Sequence, residues 1–158
     1  MMKIFCIANQ KGGVGKTTTT VNLAAGLAKI GQRVLLVDLD PQGNATMGSG
    51  VDKRAMALSV YDVLLESASV AEAATVPDKL KEAGAGYAVL GANRELAGAE
   101  VELVGEERRE RRLKDALAAV SADYDFVLID CPPSLSMLTL NGLCAAQGVI
   151  VPMQCEYF

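Results

Sequence analysis

Short apolar runs alternate along the chain with longer stretches whose apolar residues recur at helical spacing. The runs Lys3–Ala8, Arg33–Asp38, Tyr87–Leu90, Phe126–Ile129 and Gly148–Met153 are rich in Val, Ile and Leu, as strands buried on both faces should be. Between them lie helix-compatible segments. Thr17–Ile30 stops at Gly31, Val60–Glu66 follows Ser59, and Val70–Ala74 follows Ser69 with Glu72 completing a capping box. A long charged region, Leu96–Ser121, and a segment from near Ser134 to Ala146 complete the set. This alternation predicts an α/β chain in three layers, a mostly parallel central sheet with helices on both faces. Ligands in such sheets sit beyond the carboxyl ends of the strands, so the residues there are the ones to read for chemistry.

Composition narrows the class without naming a function. The 158 residues suit a single domain, 1–158, able to bury roughly two-thirds of its unfolded surface. Half the residues are apolar and 22% are charged, the balance of a soluble globular protein. No apolar run approaches the roughly 18 residues of a membrane span, and the apolar run after Lys3 is too short for a signal peptide. Histidine is absent, and Cys6, Cys131, Cys144 and Cys155 show no C-x-x-C spacing, which argues for reduced thiols over a structural zinc site. Three of the four cysteines have apolar sequence neighbours and are expected in the core. The net charge of −4 argues against a broad nucleic-acid face. The one basic cluster, Arg108 to Lys114, is interleaved with acids and is expected to pair along a solvated helix.

Lys11-Gly12-Gly13-Val14-Gly15-Lys16-Thr17-Thr18 stands between the first strand and the first helix, the context that a phosphate-binding loop requires. Gly12, Gly13 and Gly15 let the backbone curl around an anion and point N–H groups inward. The helix that begins near Lys16 aims its positive dipole end at the same anion. Lys16 would reach the terminal phosphates of a nucleotide, and the Thr17 hydroxyl would hold Mg²⁺. The usual first glycine of the motif is replaced by Gln10, and Lys11 appears five residues before Lys16.

Two further strand ends carry acids. Asp38 closes the second strand and Asp40 follows in the turn Pro41-Gln42-Gly43-Asn44-Ala45-Thr46. Asp38 could hold Mg²⁺ through a water, and Asp40 could orient or deprotonate an attacking water. Phe126-Val127-Leu128-Ile129-Asp130 is a Walker B arrangement, four apolar residues and an acid facing Mg²⁺ through water. Cys131-Pro132-Pro133-Ser134 then turns the chain away from the sheet.

The pattern K-G-G-x-G-K-T resembles the deviant phosphate loop of the ParA/MinD family of ATPases. Asp38 to Thr46, Asp130 to Ser134, Asn93 to Glu100 and Val151 to Phe158 all look like its chromosomal, Soj-like branch. A MinD would more typically show Ser-Gly-Lys-Gly-Gly at the loop, and the cluster cysteines of the nitrogenase iron protein are not found. The resemblance implies a P-loop NTPase fold and slow hydrolysis of ATP with Mg²⁺. Lys11 and Lys16 would serve catalysis, Lys11 by reaching across an ATP-dependent homodimer, and Asp40 would act in hydrolysis. Residues Lys11 to Thr18 would bind the nucleotide, Thr17, Asp38 and Asp130 the metal, and the segment after Asp130 would switch with the nucleotide. It further implies a ParB-type centromere-binding partner, nonspecific DNA for the full-length family member, no membrane, and a bacterial cytoplasmic, nucleoid-associated setting for chromosome or plasmid segregation.

Family members continue well beyond the segment matching Phe158, with adenine contacts and DNA-binding basic residues in that later part. The expected domain is therefore the N-terminal portion of a ParA-type fold, incomplete relative to the family, with an exposed sheet edge or apolar face through which it could self-associate. Two other readings stay open. One is a nucleotide-binding fragment without turnover. The other is a metabolic P-loop enzyme of the dethiobiotin-synthetase type.

Overall fold

The computed structural model describes residues 1–8, 14–84 and 86–152. Within them β1 (Lys3–Ile7), β2 (Val34–Asp38), β3 (Ala88–Leu90), β4 (Phe126–Asp130) and β5 (Gly148–Ile150) form one parallel sheet in the order β3-β2-β4-β1-β5. Successive side chains alternate between its faces. Ile4, Cys6, Leu35, Val37, Val127 and Ile129 enter one core, whereas Ile7, Val34, Leu36, Val89 and Leu128 enter the other. Each of these buried aliphatics contributes about 1.5–3 kcal/mol relative to an exposed one. Among the described residues, the strands accordingly lack the polar alternation of a half-wetted sheet.

Helices cover both faces. Helix α1 (Val14–Lys29), α2 (Asn44–Gly48) and α5 (Asp78–Glu82) pack on the second core, through residues such as Ala24, Ala45 and Leu80. On the first core lie α3 (Val60–Leu64), α4 (Val70–Ala73), α6 (Leu96–Glu102), α7 (Arg112–Ala118) and α8 (Met137–Ala145). The capping signals act as predicted. Ser59 and Ser69 each form a capping box, with Asp62 and Glu72. Helix α1 closes in a Schellman pair, Gln32 N–H to the Leu27 carbonyl and Gly31 N–H to the Ala28 carbonyl, both 3.1 Å.

Several expectations need correcting. Helix α1 begins at Val14 rather than near Thr17, β5 ends at Ile150, and two short helices appear, α2 in a stretch read as a turn and α5 in one for which no element was expected. The long region Leu96–Ser121 is broken between α6 and α7 by Arg108, whose φ is +55°, and by a 3₁₀ turn, Arg109–Arg111. Its charges do pair, but not at helical spacing. Arg108 bridges to Asp115, while the buried Arg112 guanidinium meets Glu66, Glu106 and the carbonyls of Glu107 and Leu64. Cys6 and Cys131 are core residues as expected, but Cys144 is exposed, and Cys155 lies outside the described residues.

Leu135, Leu140 and Leu143, on and just before α8, are exposed, as are Val149 and Val151 at the edge strand β5. Among the described residues no helix is long and apolar enough to cross a membrane.

Candidate active site

The carboxyl ends of β2 and β4 bring two acids side by side. In the parallel register Asp38 is the partner of Asp130, and both are fully buried. Placing two carboxylates one strand apart in an apolar interior is costly unless something neutralises them. Lys16 does so. From the first turn of α1 its ammonium reaches Asp130 Oδ1 at 2.7 Å, and its side chain is only 3% exposed. Thr20, one turn along the helix, places its hydroxyl 3.1 Å from the same oxygen and 2.9 Å from the Lys16 carbonyl. Asp130 Oδ2 is buried and has no partner among the described residues. Burial pushes the Asp130 carboxyl above the usual range, and the Lys16 charge opposes that rise.

Asp38 is satisfied differently. Oδ1 accepts the Asp40 N–H at 3.0 Å, and Oδ2 accepts both the backbone N–H (2.9 Å) and the hydroxyl (2.7 Å) of Thr46. Thr46 Oγ1 in turn accepts the Ala92 N–H at 2.9 Å, which ties the loop after β3 to the same carboxylate. Burial, and then the neighbouring Asp130 charge, push the Asp38 carboxyl up to about 7; the Thr46 and Asp40 hydrogen bonds pull the other way. Asp38 thus organises the turn that carries Asp40.

That turn is tight. Asp40 accepts the Gln42 N–H at 3.0 Å through Oδ1, its carbonyl accepts the Gly43 N–H at 2.9 Å, and the residue is 8% exposed. Gly43 has φ +68°, and a Cβ there would stand 2.8 Å from the Ala92 carbonyl, so glycine alone fits. Lys53 Nζ donates to the Gln42 carbonyl and braces the turn from outside. Asp40 is left with one carboxylate oxygen that carries no hydrogen bond among the described residues.

The segment after Asp130 is anchored at both ends. Cys131 N–H donates to the Ile7 carbonyl at 3.1 Å. Glu100, reaching from α6, accepts the N–H groups of Met137 (3.0 Å) and Leu138 (3.2 Å) at the start of α8. Beneath it Gly142 lies so close that a Cβ would be 2.8 Å from Cys131 Sγ and 3.2 Å from Cys6 Sγ. The contact with Cys6, and then burial, push the Cys131 thiol up. It is a packed, protonated thiol rather than a nucleophile.

Sequence reasoning put Lys16, Asp38, Asp40 and Asp130 at strand ends or in the first turn of α1, and the fold brings all four to one end of the sheet. Thr17 is half-buried and Thr18 exposed on the same turn. Lys11, Gly12 and Gly13 lie outside the described residues, and of Val14 and Gly15 only the helical backbone is described. Thr20 and the bracing role of Thr46 were missed. The Thr20 signal was its position four residues after Lys16, which sets a hydroxyl over that residue's carbonyl. For a metal, the fit lies at Asp130: an orphaned, buried carboxylate oxygen is a hard-cation donor. Among the described residues no three His, Cys, Asp or Glu side chains converge on a point, and Mg²⁺ commonly uses one or two carboxylates plus substrate phosphates.

Comparison with known proteins bears on the family and the fold. A family model described as an AAA domain matches residues 2–158. The sporulation initiation inhibitor protein Soj of Bacillus subtilis is 54% identical over 160 residues, covering all of this chain and 60% of the relative. The chromosome-partitioning ATPase Soj of Treponema pallidum is 50% identical over 161 residues, covering all of this chain and 59% of that protein. A crystal structure described as cobyrinic acid a,c-diamide synthase from Mycobacterium smegmatis, with bound ADP and magnesium, superposes with a TM-score of 0.92 at 50% identity. That match covers 99% of this chain and 62% of the other. The chain therefore spans about three-fifths of the length of the proteins it matches, and its fold is that of the P-loop NTPases.

Proposed function

We propose, because this chain belongs to the AAA domain family, that it is the nucleotide-binding and hydrolysing part of a Soj-type partition ATPase. The observation that carries this reading is the Lys16–Asp130 pair, with an orphaned oxygen on Asp130 and Lys16 in the first turn of the helix that follows the glycine-rich run in sequence. A cation and an acid of this kind, set where phosphates would lie, are the parts of a phosphoryl-transfer site.

The residues act as follows. Lys11 to Thr18 wrap the phosphates of ATP, and Lys16 exchanges Asp130 for the β- and γ-phosphates. Thr17 would hold Mg²⁺ through its hydroxyl, and Asp130 and Asp38 would face it through water. The metal, when bound, would supply charge neutralisation between the β- and γ-phosphates. Asp40, fixed by Asp38 and Gln42, positions the attacking water. Lys11 reaches across an ATP-dependent homodimer and stabilises charge on the partner's nucleotide, an arginine-finger equivalent. In the full-length protein the ATP-bound dimer would bind DNA nonspecifically and answer to a ParB-type centromere-binding protein, in a bacterial cytoplasm.

The test measures phosphate release and solution mass together, in Mg²⁺ with ATP or ADP. Asp40→Ala should bind ATP and fail to release phosphate, and Lys11→Ala should bind ATP but lose turnover or ATP-dependent pairing. Unaltered release by both variants would sink the assignment. A second reading, an ATP-using synthase, is favoured by the name of the Mycobacterium smegmatis neighbour. It predicts ADP formation only when an acceptor carboxylate is present, whereas the partition reading predicts slow release with ATP alone.

A further inference from the structure

Resting on the reading in which Asp130 faces Mg²⁺, we propose that Thr20 is a positioning residue that keeps the Asp130 carboxylate in its metal-facing orientation once Lys16 has left it for phosphate. Asp130 Oδ1 has two partners in the structure, the Lys16 ammonium at 2.7 Å and the Thr20 hydroxyl at 3.1 Å, while Oδ2 has none. The Thr20 hydroxyl carries one proton and has two acceptors in reach, the Lys16 carbonyl at 2.9 Å and Asp130 Oδ1. While the ammonium sits on Oδ1, the proton can rest on the helical carbonyl, the usual partner of a threonine in a helix. When the ammonium departs, the O–H swings to Oδ1 by rotation about its own C–O bond, and no heavy atom moves. Asp130 is fully buried, so without that donor its carboxylate would keep no described side-chain hydrogen bond and would be free to turn. Thr20 is itself fully buried, and its contacts with the Lys16 carbonyl and Asp130 Oδ1 hold the oxygen at this position.

The experiment uses the full chain and a fluorescent ADP, titrated with Mg²⁺ and separately in EDTA. Thr20→Val keeps the shape and removes the hydroxyl; Thr20→Ser keeps the hydroxyl; Thr20→Ala guards against misfolding of the valine variant. Loss of a hydrogen bond to a charged group corresponds to about a tenfold or larger effect. Thr20→Val and Thr20→Ala should therefore need about tenfold more Mg²⁺ to tighten nucleotide binding, with affinity in EDTA unchanged and Thr20→Ser returning to wild type within about threefold. A wild-type Mg²⁺ response in both hydroxyl-free variants would overturn the proposal. So would an equal loss in EDTA, which marks damage to the helix rather than to metal positioning. Asp130→Asn is the separate check on the premise: if it keeps the full Mg²⁺ response, Asp130 does not face the metal and the underlying reading fails, whatever Thr20 does.

Discussion

Replacing Lys16 with methionine should destabilise the nucleotide-free protein, quite apart from any effect on binding. The ammonium is the only charged partner of a fully buried carboxylate among the described residues, and a second carboxylate, Asp38, stands opposite in the sheet register. Breaking a buried pair by removing one member costs about 3–5 kcal/mol, because a charge is left uncompensated. Two features of the site hold the figure to the lower part of that range. The Thr20 hydroxyl can still donate to Asp130, and the raised Asp130 carboxyl can take up a proton. We therefore expect Lys16→Met to lose about 3 kcal/mol near pH 8, and less at lower pH as Asp130 becomes neutral. The double variant Lys16→Met/Asp130→Asn removes both charges and should recover most of the loss, giving a coupling of about 2 kcal/mol or more in the double-mutant cycle. Urea unfolding followed by circular dichroism, without nucleotide, measures all four corners. A loss under about 1 kcal/mol for the single variant, or a double variant that loses the sum of both singles, would refute the reasoning.

Two further outcomes are expected. The Asp38 carboxyl titrates at about 7 in the folded chain against 3.8 as its ordinary value, so the folded state keeps a proton that the unfolded state has released between those pH values. Stability from this group is therefore fully present below about pH 4 and lost as pH rises toward 7. The wild-type advantage over Asp38→Asn should fall by up to about 1.4 kcal/mol per pH unit across that window; parallel pH–stability curves would contradict it. Gly142→Ala should cost about 1–3 kcal/mol by overpacking, since the new Cβ falls 2.8 Å from Cys131 Sγ. Adding Cys131→Ala, which removes that sulfur, should restore much of the loss in the same unfolding assay, and an unrelieved double variant would show that the strain lies elsewhere.

Much of the fold was legible because both cores are built from strands that are apolar along most of their length, as in Val34 to Val37, and because serine caps and Gly31 mark helix ends locally. The site was legible as residue types at strand ends. What stayed hidden depends on contacts between distant segments. The Lys16–Asp130 pair joins residues 114 apart. Helix α2 reads as a turn because Pro41 and Gly43 dominate the local signal, and the Asp38 carboxylate that catches the Thr46 N–H and hydroxyl helps to stabilise it. The break at Arg108 was invisible because the charged stretch suits a helix, whereas burying the Arg112 guanidinium against the Glu107 and Leu64 carbonyls requires the chain to turn.

The strand order also sets a timetable. β1 is made first, yet its sheet neighbours are β4 and β5, so the first strand waits from Ile7 until Phe126 before it can hydrogen-bond to the sheet. At a synthesis rate of roughly 5–20 residues per second, that is on the order of ten seconds with an apolar strand unpaired. β2 and β3 can pair in the meantime, and the two acids that face each other at the strand ends, Asp38 and Asp130, come together only after β4 has been made. Such long-range closure is slow in general. The buried Lys16–Asp130 pair is thus a late contact of the growing polypeptide, and Lys16 has no carboxylate to meet at this site until residue 130 has been added.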